Sequence, residues 1–383
     1  MVTKRMSREE FFAKLSPLDS ERLRQVLWNL YWRGSTPLQE RIEGELDPAG
    51  PGHGPGSVAG PAGPGLVLDE VREFVELARA GAYNGSDRRV PPHERTRWRV
   101  TFRRLAADAE SGLRAEDSGP AQEALALIID LACEMRDHQY VRSEDPVEAA
   151  RFVVSDAAAM LWETAADRHG FQAFADLAAP QLIRWESRYG WTRGWGQVHA
   201  KETSLASVLA RLLHGPDAWA VFAGSYLDAL TAVARAEASR SWGHHDSNVR
   251  RQRASDLAEW HELLLVRLAG SRAEDLLDRL VHHTALGGPE LTFLRARLAR
   301  QRGNLDGARK LAQDCLQDLP GHEGFAGFAA EIGADLPPRA RELADQRSRS
   351  GAAGAAAGSA GAAGSAGAAG AAGSAGSAGA GPE

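Results

Sequence analysis

Apolar residues recur every three or four positions along most of this chain, and nowhere do they alternate. Trp98, Phe102, Leu105 and Ala109 fall at i, i+4, i+7 and i+11. Leu125, Ile128, Ile129, Ala132 and Met135 repeat the pattern, and Leu66, Val71, Phe74, Val75 and Leu77 mark another such face. With 3.6 residues per turn, this spacing gathers the side chains on one stripe of a helix. No alternating run of β-branched residues occurs, and Asn84-Gly85 stands in a loop ahead of Pro91-Pro92 rather than between strands. The expected fold class is all-α.

Helix starts can be read directly. Ser7 with Glu10 fits a capping box, Ser16-Pro17 with Asp19 opens a second helix, and Thr36-Pro37 opens a third that ends near Leu46. The second carries Leu23, Val26, Leu27, Leu30 and Tyr31 on one side and stops at Gly34. A piece of this size cannot hold a core alone and is expected to dock on the body or on a partner. Asp145-Pro146-Val147-Glu148 predicts a further helix running past Phe152, Val153, Met160 and Leu161.

Glycine is where composition matters. Of the 40 glycines, eleven lie in 351–383 beside 16 alanines, and seven lie in 47–65 beside five prolines. Neither stretch can bury a core, so both are expected to be disordered. The expected organisation is an N-terminal helical docking segment (1–46), a Gly/Pro-rich linker (47–65), a helical body (66–347) and an Ala/Gly/Ser-rich tail (348–383). Within the body, helix pairs start near Glu94, Pro146, Val198, Ser247 and Pro289. That interval predicts a right-handed α-solenoid or an irregular array of antiparallel helix pairs.

One pair has a recognisable shape. In 289–322, Gly303 ends the first helix, Asn304-Leu305-Asp306 follows, Ala308 comes five residues after the glycine, and Pro320 ends the second helix. This pair resembles a tetratricopeptide repeat. It departs from the pattern at Ala299 and Ala312, where aromatics are usual, and at Cys315. The resemblance covers this pair alone and implies helix stacking and protein–protein contact, with no chemistry. Phe325, Phe328 and Ile332 read as the apolar face of a capping helix.

Catalytic signatures are missing. There is no Walker loop, no Gly-x-Gly-x-x-Gly ahead of a helix and no Gly-x-Ser-x-Gly elbow. His261-Glu262 begins like a zinc-protease helix, but position 265 is Leu265. His282-His283 places adjacent residues about 100° apart on a helix, a poor arrangement for one metal, and His244-His245-Asp246 follows Trp242-Gly243 in a loop, where it reads as solvated polarity rather than a metal site. Arg-x4–6-His pairs, as in the helical HEPN ribonucleases, occur at Arg88/His93, Arg193/His199 and Arg240/His245, a chance number for so arginine-rich a chain. No catalytic residue, metal site or cofactor is expected.

The densest local chemistry is Arg184, Trp185, Arg188, Tyr189, Trp191, Arg193 and Trp195. Arginine planes and indole faces could stack single-stranded bases or hold a peptide. The competing reading is an aromatic plug between helix pairs. The net charge of −6 weighs against nucleic acid. Cys133 and Cys315 are too few for a disulfide framework, no apolar run is long enough for a membrane span, and Met1 to Lys14 lacks a signal-peptide core. The expected protein is a cytoplasmic, non-enzymatic helical-repeat scaffold that binds another protein. Single-stranded nucleic-acid binding through 184–195 is the alternative, and an unrecognised enzyme the remote one.

Overall fold

The computed structural model describes residues 19–33, 64–92, 94–187, 196–240, 245–347 and 349. The described residues are mostly helical, with no strand among them. They form two compact units: 1–157 with 194–201, and 158–193 with 202–383.

Unit 1 begins with α1 (Ser20–Arg33), capped by the Asp19 carboxylate accepting from Arg22 N at 2.7 Å. The apolar stripe forms as expected, yet none of its residues is buried; Trp28 is 57% and Trp32 70% exposed. The capping box at Ser7 and the helix expected from Thr36 lie outside the described residues. α2 (Pro64–Arg79) starts two residues inside the Gly/Pro-rich stretch, with Pro64 in the first turn, where its missing N–H costs nothing.

α2 packs on α3 (Trp98–Gly112) and α4 (Gly119–Glu134). Their shared core holds Phe74, Trp98, Phe102, Leu125 and Ile129. The Arg79 guanidinium grips the Glu134 carboxylate with two bonds, 2.9 and 2.7 Å, tying α2 to α4.

The helix opened by Asp145 is shorter than expected. α5 (Pro146–Ala150) has the expected cap, Glu148 N donating to Asp145 Oδ1 at 3.0 Å. It stops at Arg151, in the left-handed region at φ 54, and α6 (Val154–Trp185) starts afresh. The turn lets Phe152 pack edge-on against Phe102, with ring centres 5.2 Å apart. Arg151 carries none of the glycine or asparagine signals that mark such turns in a sequence.

α6 is two helices. Gly170 takes φ 79, ψ 169, a region only glycine occupies without strain. Twenty-three residues of straight helix would hold Trp162 and Trp185 about 35 Å apart. Instead their rings stack at 6.2 Å, and Trp162 Nε1 donates to Gln181 Oε1 at 2.8 Å. The chain therefore doubles back at Gly170. Nothing lies within 4 Å of a Cβ built there, so the requirement is one of backbone alone. Gly170→Ala should lower stability by about 1–3 kcal/mol. Urea unfolding would read this as a lower midpoint, and an unchanged midpoint would show that the break tolerates a side chain.

Unit 2 continues with α7 (Leu205–Leu212), α8 (Pro216–Arg240), α9 (His245–Asp256), α10 (Ala258–Leu268) and α11 (Asp275–Val281). Trp260 sits at its centre, fully buried against Trp219, Phe222 and Tyr226 at 5.6, 5.3 and 5.9 Å. α12 (Gly288–Gln301) and α13 (Leu305–Asp318) pack along each other and join through Gly303 at φ 78. Asn304 caps α13, accepting from Gly307 N at 2.9 Å. Ala296, Ala308 and Ala312 are fully buried, so the backbones approach closely. α14 (Glu323–Glu331) closes this end with Phe325, Phe328 and Ile332, the three residues read as its apolar face. The aromatic in the first helix of the pair is Phe293, whose ring lies 4.7 Å from Phe325. A further helical segment spans 338–347.

Candidate binding cavity

A cavity of about 600 Å³ lies wholly within unit 2. Five segments build it: the end of α6, the turn into α7, the α9–α10 junction, the middle of α12 and the start of α14. Its carboxylates are Glu186, Asp256, Glu259, Glu262 and Glu290, against a single arginine, Arg297. Phe293, Leu294 and Phe325 supply an apolar wall.

Each acidic side chain is held differently. Glu186 is only 6% exposed, and its two oxygens accept from Ser187 N and Ala206 N, both at 2.9 Å. Burial pushes its carboxyl up to about 7; the backbone bonds pull it down, while the nearby Glu259 charge raises it further. Glu259 Oε1 accepts from the hydroxyls of Ser204 and Ser207 at 2.6 and 2.9 Å. Glu262 pairs with Arg297 at 2.8 Å, and the same guanidinium lies 5.9 Å from the Phe293 ring centre. Arg297 is therefore already engaged, while Asp256 accepts from Gln252 Nε2 at 2.9 Å.

Two histidines complete the wall. His261 is buried, its Nε2 standing 2.8 Å from the Tyr226 hydroxyl. Burial pulls its imidazole down to about 3, so it is neutral throughout the ordinary pH range. His322 caps α14: its Nδ1 accepts from Phe325 N at 3.2 Å, which leaves Nε2 turned to Glu290 at 3.7 Å.

Of the seven residues in the aromatic–arginine run, two are described. Trp185 is fully buried and stacked on Trp162, so its ring serves the core and offers no face to a ligand. Arg184 is exposed, its guanidinium carbon 5.6 Å from the Trp185 ring centre. Arg188, Tyr189, Trp191, Arg193 and Trp195 lie outside the described residues. The residue next to Trp185 is the one that reaches the cavity. A carboxylate following an apolar stripe was the available signal, since Glu186 directly follows the stripe that ends in Trp185.

Both residues of the His261-Glu262 pair line the cavity, one as a neutral hydrogen-bonding group and the other as an ion-pair partner. His283 Nε2 stands 3.1 Å from Thr231 Oγ1, and His282 Nδ1 stands 2.8 Å from Asp278 O. In unit 1, His199 Nε2 lies 2.5 Å from Asp145 Oδ2. Among the described residues, no three His, Cys, Asp or Glu side chains gather as a metal site. No helix among them is long and apolar enough to cross a membrane. Comparison with family models, curated proteins and solved structures finds no match to this chain.

Proposed function

We propose that this chain is a cytoplasmic, non-enzymatic helical-repeat adaptor that binds another protein, and that its unit 2 cavity receives a basic side chain of that partner. The carrying observation is the cavity itself: an apolar wall beside carboxylates that outnumber the one arginine, which Glu262 already holds. An arginine or lysine fits both features, laying its aliphatic stem along Phe293 and its charge among the carboxylates. The helix pair 288–318 supports the same reading, because stacked helix pairs leave grooves suited to peptides.

Anisotropy with a fluorescent hexa-arginine peptide tests this. Binding should be saturable and salt-sensitive, and Glu259→Gln with Glu262→Gln should weaken it at least tenfold, about 1.4 kcal/mol or more. Near pH 7 binding should also release protons, because a cation beside Glu186 favours its ionised form. Equal affinity of the double variant and the parent would sink the proposal.

A further inference from the structure

Unit 1 contains a second, smaller site of opposite charge. After α2 the chain turns through Gly81 and Gly85, both at positive φ, 76 and 97. Two arginines clamp this loop by their Nε atoms: Arg95 donates to Val90 O and Arg142 to Asn84 O, each at 3.0 Å. Asn84 is itself fixed, its Nδ2 donating to Gln139 O at 2.6 Å. With the Nε atoms so engaged, the terminal Nη groups converge over Gly85. A Cβ built on that glycine would lie 3.1 Å from Arg95 Nη1 and 3.4 Å from Arg142 Nη2, so both guanidinium ends come close to the same stretch of backbone. A side chain there would press on both guanidiniums.

Ion pairs elsewhere in this unit differ from the contacts of these two arginines. Arg72, Arg79, Arg89 and Arg104 of the same unit each pair with a carboxylate. Among the described residues, no carboxylate pairs with Arg95 or Arg142. The two guanidiniums line a pocket of about 140 Å³ together with Arg99, Tyr83 and Trp98. Trp98 is buried and fixes one wall. Guanidinium forks held in place by backbone carbonyls are the arrangement that recognises oxyanions, because their donors need no reordering on binding.

We propose that this pocket binds a phosphate group, whose oxygens accept from Arg95 and Arg142. A dianion matches two guanidiniums that no described carboxylate pairs with, whereas a carboxylate leaves one unanswered. The chemistry is shared by free phosphate and a phosphate monoester, and the experiment separates these sources.

Calorimetry on the full chain, at constant ionic strength, would use inorganic phosphate, O-phosphoserine and acetate. Phosphate should bind saturably and acetate at least tenfold more weakly. Phosphoserine within a few-fold of phosphate supports a site open to monoesters, while its rejection supports a site for the free ion. Arg142 is exposed, which favours folding of its variants. Arg142→Gln should lower phosphate affinity at least tenfold, and Arg142→Lys, which loses the same Nε bond but keeps the charge, should lower it less. Three outcomes overturn the proposal: no saturable phosphate binding by the parent, acetate binding as tightly as phosphate, or equal loss in the Gln and Lys variants. The last would mean that the loop tether, not the anion contact, carries the effect.

Discussion

Trp260→Ala should lower the stability of unit 2 by about 3–5 kcal/mol, enough to abolish a cooperative transition in a marginal domain. The indole is fully buried and touches Trp219, Phe222 and Tyr226, which come from α8 and stack or meet it edge-on. Truncation leaves a cavity walled by large rings that cannot collapse into it. Trp260→Phe separates volume from polarity. Nε1 of Trp260 is buried without a hydrogen-bond partner, a donor whose desolvation costs about 1–3 kcal/mol. Phenylalanine loses some packing and removes that orphan, so the two effects offset. Urea midpoints of both variants decide it. A phenylalanine variant as damaged as the alanine one would show that Nε1 is satisfied in solution.

The pH profile of stability should change shape when Glu186 is replaced by glutamine. Burial raises the Glu186 carboxyl from 4.5 to about 7, so between those values the folded chain keeps a proton that the unfolded chain has released. Stability therefore falls with rising pH across that window, by roughly 3 kcal/mol in total. His261 acts in the opposite sense. Its imidazole is lowered from 6.5 to about 3, so across that window the unfolded chain holds the extra proton and stability rises with pH, by roughly 5 kcal/mol. The slopes largely cancel between about pH 4.5 and 6.5. Glu186→Gln removes one of them, leaving a profile that climbs from about pH 3 and levels above 6.5. Urea midpoints measured from pH 4 to 8 check this, and parallel profiles for parent and variant would refute it.

The fold was legible wherever a periodic stripe met a strong cap. Phe325, Phe328 and Ile332 lie on the buried face that their spacing implies. Asp145 caps its helix as read, but the helix ends early because Arg151 accepts a left-handed turn to bury Phe152. The hairpin within 154–185 was hidden for a related reason: Gly170 looks like a tolerated helix glycine, and only the Trp162–Trp185 contact reveals a reversal.

The cavity was not legible. Its lining comes from five separated segments with no fixed spacing, so no motif could carry it. The aromatic run adjoins the cavity: Trp185 turns inward while Glu186, one residue on, faces it. The arginine pocket was equally silent, because Arg95 and Arg142 become neighbours only through the loop they clamp.

The break at Gly170 also bears on how this sequence can drift. Every glycine codon is one base from an alanine codon, and in an alanine-rich chain that exchange is close at hand. Where glycine merely ends a helix, the exchange is a modest loss. At φ 79, ψ 169 it would straighten or strain the turn on which the Trp162–Trp185 stack depends. A Cβ built at Gly170 meets nothing within 4 Å, so selection there acts on backbone shape alone. Among relatives of this chain, glycine should persist at this position even where every contact around it has changed.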